Sequence, residues 1–181
     1  MQYTKVPLSR VAVLIGKKGK VKIEIEKRLG VSLNINNTSA TVSIENKGGD
    51  ELAEWRCKDI VRAIGKGFSP QNAMKLCKED YSLAVINLED IVGRSDKALK
   101  RQKGRVIGRE GKTRRYIEES TKALISIYGK SVAIIGTYEE IQVAKKGIVM
   151  LASGSPHGVV YKTLQFKARE LKERRFHLWE E

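Results

Sequence analysis

The sequence predicts an α+β protein made of two copies of one βααββα module, followed by a terminal helix. Three observations lead there. "VLIGKKGKVKIEIEKRLGVSLNI" (13–35) lies over "RVIGREGKTRRYIEESTKALISI" (105–127) at an offset of 92 residues. The apolar residues in each copy change period, from three-to-four spacing to alternation and back, as helices give way to strands and return. Each copy also carries a GxxG between two helical segments. A unit found twice makes two related modules, because a solenoid needs at least three.

In the first copy, "MQYTKVP" alternates weakly and stops at Pro7, which suits a strand. Ser9 is placed to cap a short helix carrying Val11, Leu14 and Ile15. "GKKG" breaks that helix. A second runs from Lys20, with Val21, Ile25 and Leu29 at four-residue spacing, and ends at Gly30. "VSLNI" puts Val31, Leu33 and Ile35 on one face of a strand, "NNTS" is a turn, and "ATVSI" (40–44) returns. Asp50 is placed to cap a third helix, with Leu52, Trp55, Ile60 and Ile64 on its apolar face and Gly65 and Gly67 at its end.

The second copy repeats this order. "YSLAVINL" (81–88) is the first strand, and Ser95 caps the helix "DKALKRQKGRVI". "GREG" interrupts, and "KTRRYIEEST" is the next helix. "ALISIY" pairs with "SVAIIG", whose "SVAII" (131–135) matches "ATVSI", with the intervening loop about two residues longer in this copy. In the third helix Ile141, Ala144, Ile148 and Leu151 face inward.

Two segments lie outside the repeat. Residues 68–80 read as a linker with one short helix, in which Pro70 suits the first turn after Ser69. Residues 155–181 read as a helical extension with Val160, Leu164, Ala168 and Leu171 in one stripe. The modules are therefore expected at 1–67 and 81–154.

With 35 basic and 21 acidic residues the net charge is +14. That excess favours a polyanionic partner, with nucleic acid first and an anionic membrane surface second. A charge-rich thermophile surface accounts for the total charge but not for its sign. Cys57 and Cys77 form no CxxC or zinc pattern, and His157 and His177 lie in no motif. No metal or cofactor is expected. The chain lacks an apolar run of membrane-spanning length and a signal peptide, so a soluble, cytoplasmic protein is expected.

"GREGKT" resembles the end of a phosphate-binding P-loop, GxxxxGK[ST]. The position five before Gly111 is Val106, not glycine, and the preceding residues read as a helix rather than a buried strand. The first copy has Val21 where a magnesium-binding hydroxyl belongs. What the copies share is GxxGK alone. That suits an RNA clamp: glycines let the backbone turn and let a phosphate approach, and the next helix offers free amides and its dipole. The candidate residues are Gly16, Lys17, Lys18, Gly19 and Lys20 in the first copy, and Gly108, Arg109, Glu110, Gly111 and Lys112 in the second. Val11, Leu14, Ile15 and Ile107 offer an apolar floor, with a wall near Ile35 and Ile127. The groove would hold about four unpaired nucleotides.

Charge singles out the second clamp. Lys97, Lys100, Arg101, Lys103, Arg105, Arg109, Lys112, Arg114 and Arg115 form a run with Glu110 as its only acid. "EIEKR" (24–28) mixes signs in the first copy. Glu110 opposes a phosphate and is expected to point away or pair with a neighbouring arginine.

The paired GxxG loops and element order resemble tandem KH domains of the eukaryotic type, which pack a three-stranded sheet on three helices. "GRVIGREGKTRRYIEESTKALISI", "SVAIIGTYEEIQVAKKGIVMLASG" and "SPHGVVYKTL" closely resemble the Dim-two family, also called partner of Nob, in its archaeal form. The resemblance implies a non-catalytic small-subunit assembly factor. It would bind single-stranded ribosomal RNA near the 3′ end, within the pre-ribosomal particle, and work with a Nob-type endonuclease. Eukaryotic members often lack an intact first GxxG and use that module for protein contacts, whereas "GKKG" is intact here.

Two alternatives remain open at this level. A KH protein of RNA degradation or transcription usually carries an S1 barrel, for which the chain has no room. A nuclease needs clustered carboxylates or a placed histidine, and the acids here are scattered.

Overall fold

The computed structural model describes residues 1–48, 50 and 52–177, with His177 described in its backbone alone. The chain divides into two compact units, Met1–Leu83 and Ala84–Glu181. The first contains β1 (Gln2–Lys5), α1 (Leu8–Ile15), α2 (Lys20–Leu29), β2 (Val31–Asn36), β3 (Thr41–Asn46), α3 (Ala53–Gly65) and α4 (Pro70–Ala73). The second is built from β4 (Ser82–Asn87), α5 (Glu89–Val92), α6 (Asp96–Ile107), α7 (Lys112–Thr121), β5 (Leu124–Tyr128), β6 (Ser131–Gly136), α8 (Tyr138–Ala152) and α9 (His157–His177). The strand orders are β1-β3-β2 and β4-β6-β5, so β2 and β5 are edge strands beside α2 and α7.

The repeat is a repeat of structure. Ile35 pairs with Val42 in the first sheet and Ile127 with Val132 in the second. This register corrects the expected loop lengths: residues 37–40 join the strands in the first copy, and only 129–130 in the second. The longer loop therefore belongs to the first copy, and the counterpart of Val132 is Val42, not Thr41 as the match of "ATVSI" to "SVAII" had it.

In the first unit Leu14, Ile25, Leu33, Val42, Ile44, Ile60 and Ile64 are buried. Burying one such side chain is worth about 1.5–3 kcal/mol. The helix starts differ from expectation. Pro7, not Ser9, precedes α1, and no side chain caps it. Proline at this point presets φ, and its carbonyl accepts from Arg10 N at 2.8 Å. Asp50 Oδ1 accepts from Leu52 N at 2.9 Å, but α3 begins only at Ala53. Leu52 and Trp55 do not face the core. They are 56% and 57% exposed, while Ala53, Cys57 and Val61 join Ile60 and Ile64 inside.

Ser69 caps α4 as expected, accepting from Asn72 N at 3.3 Å. This stretch is more than a connection, because Phe68, Ala73, Met74 and Leu76 are buried and the segment belongs to the first unit.

The second unit follows the sequence closely. Ser95 Oγ accepts from Ala98 N, and Thr137 and Glu140 form a reciprocal capping box at the start of α8. α5 is an addition the periodicity did not predict. Ile117, Ile125, Val132, Ile134, Ile148 and Leu151 form the core, and Val160 and Leu164 of α9 are buried in the same cluster. α9 comes close because Gly147 leaves room: a Cβ there would lie 2.9 Å from Leu164 Cδ2. Ala168 and Leu171, further along the expected stripe, are half-buried.

Candidate nucleic-acid interface

Each GxxG is a short 3₁₀ turn between two helices, Lys17–Gly19 and Arg109–Gly111. Gly16 and Gly108 adopt φ 73°, ψ 171° and φ 75°, ψ 169°, a region essentially reserved for glycine. Space demands glycine as well. A Cβ on Gly16 would lie 2.5 Å from Val21 Cγ2, and one on Gly108 would lie 2.3 Å from Thr113 Oγ1. Lys18 and Glu110, at φ 55° and 52°, are left-handed without being glycine, which costs on the order of 1–3 kcal/mol each. Gly19 N and Gly111 N each donate to the first glycine's carbonyl at 3.1 Å.

The loops therefore deliver α2 and α7 with Gly19 and Gly111 as N-caps, and no side chain occupies the first-turn amides. Such amides, at the positive end of a helix dipole, bind anions. Lys17, Lys18 and Lys20 surround the first set, and Arg109 and Lys112 the second, all exposed. Glu110 is exposed too, and its carbonyl accepts from Arg115 Nη2 at 2.9 Å. The expected arginine partner is thus real, but it grips the backbone oxygen and supports the left-handed turn.

The basic run splits by task. Lys97, Lys100, Arg101, Arg109 and Lys112 are exposed and form no ion pair among the described residues. Arg114 lies 3.8 Å from Glu118, as Lys22 lies 3.9 Å from Glu26 in the first unit. Lys103 Nζ donates to Gly129 O at 3.0 Å. Arg105 turns inward. Its Nη1 donates to Leu151 O at 2.8 Å and its Nη2 to Ser155 O, capping the C-terminus of α8. The candidate site keeps Arg109, Lys112, Arg114 and Arg115 around the loop and leaves Arg105 behind it.

The floor is narrower than the apolar residues imply. Val11 and Leu14 are buried in the core. Ile15, Ile107, Ile35 and Ile127 are half-buried, so a portion of each remains accessible. Each wall is fastened by a glutamate that sequence patterning did not single out. Glu26 Oε1 accepts from Leu33 N, and Glu118 Oε1 from Ile125 N, both at 2.8 Å. These residues lie at the repeat offset, which is the one signal that marks them.

Also unforeseen is a cluster behind the second loop. Thr113 Oγ1 lies 3.2 Å from Tyr161 OH, and the rings of Tyr116 and Tyr161 are 4.2 Å apart between centroids. In the first unit a different arginine binds the C-terminal end of α3: Arg10 donates to Ile64 O and Phe68 O at 2.8 and 2.7 Å. Among the described residues no three His, Cys, Asp or Glu gather where a metal ion could bind, and no helix is long and apolar enough to cross a membrane.

Helix–GxxG–helix on the edge of a three-stranded antiparallel sheet, twice over, defines a tandem KH protein of the eukaryotic type. A family model described as the eukaryotic type KH domain, KH-domain type I, matches residues 82–169. The chain is 50% identical to a KH domain-containing protein of Methanocaldococcus jannaschii, over 99% of this chain and 79% of the relative. It is 28% identical to the pre-rRNA-processing protein PNO1 of Coccidioides immitis, over 81% of this chain and 58% of that longer protein. Among solved structures it resembles Dim2p from Pyrococcus horikoshii, with 49% identity, TM-score 0.86, and coverage of 91% of this chain and 97% of that one. A chain in the a/eIF2alpha–aDim2p–rRNA complex of the same organism matches at 48% identity and TM-score 0.89, covering 93% of this chain and 94% of that one. The protein belongs to the PNO1/Dim2 family of KH-domain proteins.

Proposed function

We propose that this protein binds single-stranded small-subunit ribosomal RNA near its 3′ end, and that it acts without catalysis in pre-rRNA processing on cytoplasmic pre-ribosomal particles. The Gly108–Gly111 clamp is the main reader and Gly16–Gly19 the second contact. The observation that carries this is a pair of clamps whose helix starts no side chain caps, of which the second is ringed by exposed cations. Relatives named for pre-rRNA processing, and a similar chain in a complex with rRNA, support the choice of RNA. A Nob-type endonuclease is the proposed protein partner, on the family resemblance.

The test is binding to a short single-stranded RNA matching the rRNA 3′ end, comparing the native chain with Lys17→Asp/Lys18→Asp and with Arg109→Asp. Arg109→Asp is expected to cause the greater loss. With about four to six phosphates neutralised, log affinity should fall against log salt with a slope near −3 to −4. A flat salt dependence, or full binding by both variants, contradicts the clamp reading.

A further inference from the structure

We infer that the start of α9 is part of the second clamp, and that Tyr161, acting through Thr113, is a positioning residue for RNA held at Gly108–Gly111. The inference rests on the reading of that loop as the RNA site. Thr113 is the second residue of α7 and is buried directly behind the loop. Its Oγ1 and backbone N are the atoms that a Cβ on Gly108 would strike, at 2.3 and 2.6 Å. The same Oγ1 meets the Tyr161 hydroxyl at 3.2 Å.

Tyr161 is itself held. Its ring packs on Tyr116 of α7, and His157 meets it edge-on with centroids 6.1 Å apart. His157 Nε2 lies 3.3 Å from Arg105 O, and the Arg105 guanidinium holds the carbonyls of Leu151 and Ser155. The helix entering the loop and the helix leaving it are thereby tied to the same turns of α9.

Thr113 N–H is one of the first-turn amides of α7, the set that the clamp reading offers to a phosphate. A threonine hydroxyl near a helix start can bond to local backbone and compete for those groups. Engaged by Tyr161, the Thr113 hydroxyl is held away from them, and the start of α7 is fixed against Gly108. Donors ordered before the ligand arrives bind it more tightly than donors ordered by it. The first clamp lacks this device. Val21 stands at the repeat position of Thr113, and its methyl group fills the gap without a polar anchor.

The experiment uses the full chain and the labelled single-stranded RNA named above. Tyr161→Phe keeps the ring and removes the hydroxyl, Thr113→Val copies the first clamp, and Thr113→Ser keeps the hydroxyl. Loss of one hydrogen bond's net worth corresponds to a weakening of about three- to tenfold. Tyr161→Phe and Thr113→Val should each show that loss, and the double variant no more than either. Thr113→Ser should bind like the native chain. Thermal unfolding run alongside verifies that the folded protein is being compared. Native affinity in Tyr161→Phe overturns the inference if Arg109→Asp still abolishes binding, since the clamp then works without the anchor. Additive losses overturn it too, because Tyr161 would not be acting through Thr113. If Arg109→Asp also binds normally, the clamp reading itself fails and the inference falls with it.

Discussion

The two GxxG loops share a backbone and differ in what stands behind it. Their first glycines agree within 2° in φ and ψ, and Lys18 and Glu110 agree within 3°. Behind the first lies Val21, and behind the second lie Thr113, Tyr161 and Tyr116. Beside the first, Ile23 is 58% exposed at the position where the second has Arg115. The turn is therefore dictated locally, by a first glycine that leaves no room for a Cβ and by two helix starts. Charge and rigidity come from side chains that the turn does not specify. On the function proposed above, one scaffold would then present a strong and a weak RNA contact in the same chain.

The sharpest way to break this comparison is to spoil the turn itself. In Gly108→Ala the new methyl must displace Thr113, including its backbone nitrogen at 2.6 Å, on top of an unfavourable φ. A loss of about 3 kcal/mol or more in the second unit is expected, with loss of RNA binding. Gly111→Ala has the unfavourable φ of 74° but no atom within 4 Å of its Cβ, and should cost about 1 kcal/mol. Calorimetry with hydrogen exchange to assign each transition to its unit checks the order. Equal losses would mean that the close approach at Gly108 does not matter.

A second comparison concerns the arginines that cap the last helix of each module. Arg105 and Arg10 do the same work from positions three residues apart in the repeat frame, since Arg10 corresponds to Gln102. Each binds two carbonyls, of which Ile64 O and Leu151 O also accept a backbone amide, from Gly67 N and Gly154 N. Arg105→Ala and Arg10→Ala should each cost about 2–3 kcal/mol, in the second and first unit respectively. If Arg105→Ala instead reduces RNA affinity at unchanged stability, Arg105 belongs to the clamp and not to the frame.

The sequence disclosed what local chemistry controls. Ser69 and Ser95 cap the helices they precede, and α6 and α7 begin and end where their patterns do. Long-range pairing was not legible. Arg105 meets carbonyls 46 and 50 residues away, and Thr113 meets a hydroxyl 48 residues away. In a basic run, an inward-turning arginine has the same spelling as one that faces RNA. Leu52 and Trp55 misled for the same reason. Apolar spacing places side chains on a helix face, and the start of the helix, three residues after Asp50, decides which face is covered.

The smallest expected difference between the units is alkaline. Both cysteines lie in the first unit, and burial pushes the Cys57 thiol up from an ordinary value near 9 to about 12, with the nearby Cys77 adding to the effect. The folded unit keeps that proton where the unfolded chain gives it up. The stability it contributes is thus complete below pH ~9 and is lost as pH rises toward about 12. By pH 10 the loss should be about 1.4 kcal/mol, confined to the first unit. Cys57→Ala removes the titrating group, though it also leaves a small cavity, so the slope against pH is the diagnostic and not the absolute stability. Unfolding measured from pH 8 to 10 should show a shallower fall in Cys57→Ala than in the native chain. An equal slope in both would assign the alkaline loss to the lysines, which the two units share, and the cysteine contrast between them would disappear.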